Sequence, residues 1–99
     1  MLSRTDEEDI FTNFTIRHIN QHLVSDGPML AFHAAHSIHT PLETVPDAFE
    51  HFAFITDSED RRAYHSMVWN VDRAIGRIVA ALREKQMYSS TLLVLSADK

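Results

Sequence analysis

Seven histidines and no cysteine set the side-chain chemistry open to this 99-residue chain. His33, His36 and His39 recur at three-residue steps, and imidazole nitrogen is a common zinc ligand. The spacing works against a shared ion. Residues three apart on a strand point to opposite faces, and no HExxH helix or cysteine completes a tetrahedral set. His33 and His36 are therefore read as packing or surface residues. His18 and His22 stand four apart on a predicted helix, a spacing that can chelate an ion but is usually incidental on a helix surface. His51 and His65 carry no pattern. Without cysteine there is no disulfide, no thiolate metal site and no thiol nucleophile, and with only Gly27 and Gly76 no glycine-rich phosphate loop can be drawn.

Two further residues gain interest from position. His39 lies in a loop that follows one predicted strand, and Asp98 directly follows another. In open α/β sheets ligands collect beyond the carboxyl ends of the strands, so parallel strands would bring this imidazole and carboxylate to one cleft. Position alone does not carry a site, since a loop histidine is more often a surface residue and an aspartate more often simply solvated. Asn13-Phe14-Thr15 fits the N-glycosylation sequon but falls inside a predicted amphipathic helix, where coincidence is the simpler reading. Tyr64 and Trp69 sit among apolar neighbours and read as packing residues rather than stacking platforms.

The elements that must position these residues follow from apolar spacing. Between Glu7 and Leu23, Ile10, Phe11, Phe14, Ile16, Ile19 and Leu23 recur mostly at three- and four-residue steps, which predicts a first helix with one buried stripe. Ser25-Asp26-Gly27-Pro28 ends it, because Gly27 accepts positive φ and Pro28 cannot continue a helix. Met29 to Ala35 is a short apolar run that suits a strand buried on both faces, and His36 to Pro46 reads as a loop. Pro46-Asp47-Ala48-Phe49 suits a helical turn with proline in its first turn. Thr56-Asp57-Ser58 offers N-cap oxygens to a long helix from about Ser58 to Lys85, whose apolar face runs from Ala63 through Met67, Ala74 and Ile78 to Leu82. Thr91 to Ala97 reads as a second buried strand. Helix, strand, helix, strand predicts a slice of an α/β sheet, its strands parallel and joined by a right-handed crossover, with sheet neighbours outside these residues.

Composition bounds the rest. Length suits a single domain, and 44% hydrophobic with 23% charged residues argues for a folded chain. A formal charge of -5 repels phosphate backbones, which argues against a nucleic-acid partner. Asp6-Glu7-Glu8-Asp9 and Asp57-Ser58-Glu59-Asp60 each precede a helical pattern, where acidic groups complement the helix N-terminus. The opening residues lack the apolar run of a secretory signal, and no stretch approaches the ~18 apolar residues of a membrane span.

One segment carries a resemblance. Ala31-Phe32-His33-Ala34-Ala35-His36-Ser37-Ile38-His39-Thr40-Pro41-Leu42, then Val45-Pro46, resembles the part of arylsulfatase B-like sulfatases in which a strand runs into histidine, one variable residue, Pro-Leu and soon Val-Pro. Asp60-Arg61-Arg62, Tyr64, Met67-Val68, Asp72, Ala74 and Gly76, and then Ser90 to Asp98, are similar to that family's long helix and following strand. The likeness covers about nine-tenths of the chain. It implies part of an alkaline-phosphatase-like catalytic domain spanning residues 1–99, with a mixed, mainly parallel sheet flanked by helices in the order α-β-α-β. It implies a calcium-dependent sulfuric ester hydrolase with a formylglycine nucleophile, a sulfated small molecule or glycan as substrate, and a lysosomal or secreted location. Carried over by position, His39 is the histidine that hydrogen-bonds the sulfate ester near the leaving-group oxygen, and Asp98 is a calcium ligand.

Two departures bear on activity. The family follows this aspartate with asparagine, a second calcium ligand, whereas Lys99 stands here, and an ammonium offers no oxygen. The nucleophile arises from a C/S-x-P-x-R motif, and none of Pro28, Pro41 or Pro46 sits in one, so formylglycine has no precursor. The expectation is a sulfatase segment without activity of its own. A small α/β interaction module docking through uncovered apolar surface, and a metal-binding module on His33, His36 and His39, are the alternatives.

Overall fold

A computed structural model describes residues 4–35 and 46–97. Three helices, α1 (Arg4–Gln21), α2 (Pro46–His51) and α3 (Glu59–Glu84), are supplemented by 3-10 turns at Val24–Asp26 and Tyr88–Ser90.

The long helix forms where its caps and periodicity require. Ser58 is extended and its Oγ accepts from the Arg61 N–H at 3.1 Å, an N-cap that Glu59 and Asp60 reinforce electrostatically. At the other end Gln86 takes φ 58°. Its N–H donates to the Arg83 carbonyl at 3.0 Å and the Met87 N–H donates to Leu82 at 2.9 Å, the paired bonds of a Schellman motif. Met87 also packs on the cluster that contains Leu82, the hydrophobic contact that accompanies this motif. The predicted Ser58–Lys85 helix is thus found with its cap residues as boundaries.

Helix α1 begins three residues before the predicted Glu7 and ends two before Leu23. Its buried face is rotated from the predicted stripe: Thr12 and Ile19 are buried and Ile16 is partly so, while Ile10, Phe11 and Phe14 stay exposed. Ile19, Ala81 and Leu82 form a small core that Ile16, Met29, Ile78 and Met87 flank. Pairings along the two helices ascend together, Asp9 with Arg73 and Arg77, Asn13 with Arg77, and Ile19 beside Ala81 and Leu82, so α1 and α3 lie parallel. Gly27 adopts φ 99° just after the first 3-10 turn, the left-handed freedom expected at that position.

The α/β expectation is overturned. Among the described residues there is no strand and hence no mixed or parallel sheet; residues 28–35 and 91–97 run without regular structure. A strand exists only through ladder bonds to a neighbour, and two strands alone would leave four apolar faces against water. Neither segment finds such a partner among the described residues, and Leu30, Phe32, Leu92 and Leu95 are 95%, 93%, 87% and 85% exposed. The Cα radius of gyration, 15.5 Å, exceeds the roughly 13 Å of a compact domain near this length. No described helix is long and apolar enough to cross a membrane.

Candidate functional site

His39 and Asp98 lie outside the described residues, as do His36 and Lys99, so the predicted convergence of the two site residues is not placed. Their surroundings are placed. The described backbone before residues 36–45 leaves Ala35 exposed and resumes in α2 at Pro46, and the backbone leading to Asp98 departs from the Schellman end of α3.

Arg62 joins α2 to α3. Its Nε donates to the Phe49 carbonyl at 2.8 Å, and its guanidinium carbon lies 3.7 Å from the Phe49 ring centroid. One terminal nitrogen also reaches Glu50 at 3.4 Å. The same carbonyl accepts the Phe52 N–H at 3.2 Å, so Arg62 adds a second bond to it and its charge complements the negative end of a short helix. His51 completes the joint, stacked on Trp69 with centroids 5.1 Å apart and planes at 26°. Arg73 lies over the same indole at 5.4 Å, and Phe52 packs between His51 and His65. Sequence reasoning does not find this joint, because His51 and His65 carry no pattern; Trp69 packs on a ring of its own chain, in keeping with its reading as a packing residue. The signal available was the aromatic run Phe49, Phe52 and Phe54 around His51, which belongs to no helical stripe.

The other histidines turn to separate partners. His33 Nδ1 and Thr15 Oγ1 share a hydrogen bond of 2.7 Å that ties the extended segment to α1. His22 Nε2 bonds the Gly27 carbonyl at 2.9 Å, and His18 meets the Phe14 ring edge-on at 4.6 Å, so this pair does not converge on a common point. Among the described residues no group of three or more histidine, aspartate or glutamate side chains is placed to hold a metal. The described geometry is that of a brace, with α2 fixed to α3 after residues 36–45 in the chain and His33 fixed to α1 before them.

Comparison with known proteins covers the same span. The family model described as Sulfatase matches residues 6–99. The chain belongs to the sulfatase family. Arylsulfatase J of Mus musculus is 30% identical over 71 residues, which is 72% of this sulfatase chain and 12% of the relative, so the chain spans a small part of that relative's length. No solved structure matches it. Both His39 and Asp98 fall inside the family match.

Proposed function

We propose that this chain carries one segment of a sulfuric ester hydrolase site acting on a sulfated small molecule or glycan, and that these 99 residues alone do not turn over substrate. The observation that carries the proposal is the sulfatase match across residues 6–99, which takes in His39, Pro41-Leu42 and Asp98. His39 is assigned to the substrate. An imidazole shares its proton near neutral pH, so its N–H can donate to the bridging ester oxygen as that oxygen becomes the leaving group.

Calcium is the ion that the kinship suggests, and the residues present do not fit it. Calcium takes six to eight oxygen ligands, and Asp98 offers one carboxylate beside the ammonium-bearing Lys99. No step is derived through the ion. Formylglycine likewise has no precursor motif in these residues.

The test is hydrolysis of a chromogenic aryl sulfate by the chain purified from a sulfatase-free host, with and without calcium. The expected result is no turnover above the buffer blank. In a longer protein that includes this segment, His39→Ala should lower turnover by about 10²–10⁴ while leaving the fold intact. Activity of the 99-residue chain that disappears in His39→Ala would overturn the reading. The exposure of Leu30, Phe32, Leu92 and Leu95 favours a second reading, an interaction module in which His39 has no role and its alanine variant keeps full function.

A further inference from the structure

We infer that Asn13 is an N-glycosylation acceptor, taking an oligosaccharide that begins with N-acetylglucosamine. Asn13-Phe14-Thr15 meets the sequon, with a residue other than proline in the middle and the threonine hydroxyl two residues on. The helical position that made coincidence the simpler reading turns out to be solvent-facing. The apolar face of α1 is rotated onto Thr12, Ile16 and Ile19, which leaves Asn13 exposed at the edge nearest α3.

The contact made by Asn13 is compatible with a glycan. Arg77 donates to Oδ1 of the amide, whereas a glycan is attached through Nδ2. Glycosylation leaves the side-chain carbonyl in place, so the Arg77 contact survives the modification. Ile10 and Phe14 flank the position and are 47% and 56% exposed, giving the sugar an open, partly apolar surface to cover. Thr15 sets the order of events. Its hydroxyl bonds His33 and the Phe11 carbonyl in the folded chain, so transfer takes place on the extended chain before α1 docks.

The donor is a lipid diphosphate-linked oligosaccharide. A bond forms between Nδ2 and the anomeric carbon, the bond from that carbon to the diphosphate oxygen breaks, the lipid diphosphate leaves with the electron pair, and the proton lost from Nδ2 passes to solvent. The inference rests on the proposed sulfatase reading and on the lysosomal or secreted location that the resemblance implies. Its readout is independent of sulfate-ester hydrolysis, and the test supplies the route, so a negative result falls on Asn13 and not on the proposed function.

The full chain is expressed in a eukaryotic host behind a cleavable secretory leader, with Asn13→Gln, Thr15→Ala and Thr15→Ser beside it. Trypsin releases residues Thr5 to Arg17, a peptide in which Asn13 is the sole asparagine, for mass spectrometry before and after glycoamidase treatment. The expected result is glycan mass on this peptide in the wild type and Thr15→Ser, with loss of it in Asn13→Gln and Thr15→Ala. Thr15→Ser retains the hydroxyl that meets His33, which separates the sequon requirement from any effect on folding. An unmodified peptide from secreted wild-type chain, or glycan that persists in Thr15→Ala, would overturn the assignment.

Discussion

Helix α3 has a glycine where one is unfavourable and lacks one where it would help, and exchanging the two is a direct test of its backbone. Gly76 lies in the helix interior, is exposed, and would meet nothing within 4 Å if given a Cβ. Alanine there reduces the freedom lost on folding and should stabilise by about 0.5–1 kcal/mol. Gln86 closes the Schellman motif at φ 58°, where an L-residue is disfavoured by roughly 1–2 kcal/mol. Glycine relieves that strain but starts from a freer unfolded chain, which takes back about 0.5–1 kcal/mol. The net gain at Gln86→Gly is about 0.5–1 kcal/mol. The positions are about 15 Å apart along the helix, far enough for the gains to add. Gly76→Ala with Gln86→Gly should therefore stabilise by about 1–2 kcal/mol, a rise of about 5–15 °C in melting temperature for a domain of this size. Thermal melts followed by helical circular dichroism measure it, with Gln86→Asn expected between wild type and Gln86→Gly. A β-branched residue should be worst at this φ, so a Gln86→Val variant melting as high as Gln86→Gly would refute the left-handed cap.

Further outcomes follow from packing. Ile19→Ala removes the largest buried apolar side chain of the α1–α3 core and should destabilise by about 2–4 kcal/mol, read by denaturant titration; a loss below ~1 kcal/mol would show that α1 does not dock there. Thr12 is fully buried and its hydroxyl has no hydrogen-bond partner among the described residues, so Thr12→Val should be neutral or stabilising by up to about 1 kcal/mol in the same titration, and clear destabilisation would reveal a bond to that oxygen. The purified chain should self-associate with rising concentration, as its exposed Leu92 to Leu95 run is uncharged and free of proline; light scattering should fall in Leu95→Lys, and a clean monomer at every concentration would count against this.

How far the sequence could be read divides along physical lines. Helix α3 was legible because its information is local: Ser58 supplies its own cap, and the apolar face repeats at helical period from Ala63 to Leu82. The site of α2 was legible from Pro46, and the break at Gly27 from the one residue type that tolerates its φ. The face of α1 was misread because Phe11 and Phe14 outweigh Thr12 in hydrophobicity, yet a helix presents to its partner whichever side its register dictates, here the side of Thr12 and Ile19. Met29 to Ala35 and Thr91 to Ala97 were misread because an apolar run reports a wish for burial, whereas a strand also needs a neighbouring backbone. His39 and Asp98 were singled out by loop position and by family likeness. The match over residues 6–99 supports the likeness, while the brace of Arg62, His51 and Trp69 depends on side chains from two helices meeting, which no local pattern announces.

The parallel course of α1 and α3 bears on the order in which the molecule assembles. Antiparallel helices can zip from a short turn, but parallel ones meet only after the chain between them has travelled back along their length. Bringing Asp9 to Arg73 closes a loop of some sixty residues at an entropic cost on the order of 4 kcal/mol, whereas each helix forms from contacts three and four residues apart. Helix formation and docking are therefore separate events, with α3 early and the closing of α1 late. The same separation should hold in reverse, so that α1 lifts away as a unit while α3 keeps its turns, with amide exchange fast along the first helix and slow through the middle of the third.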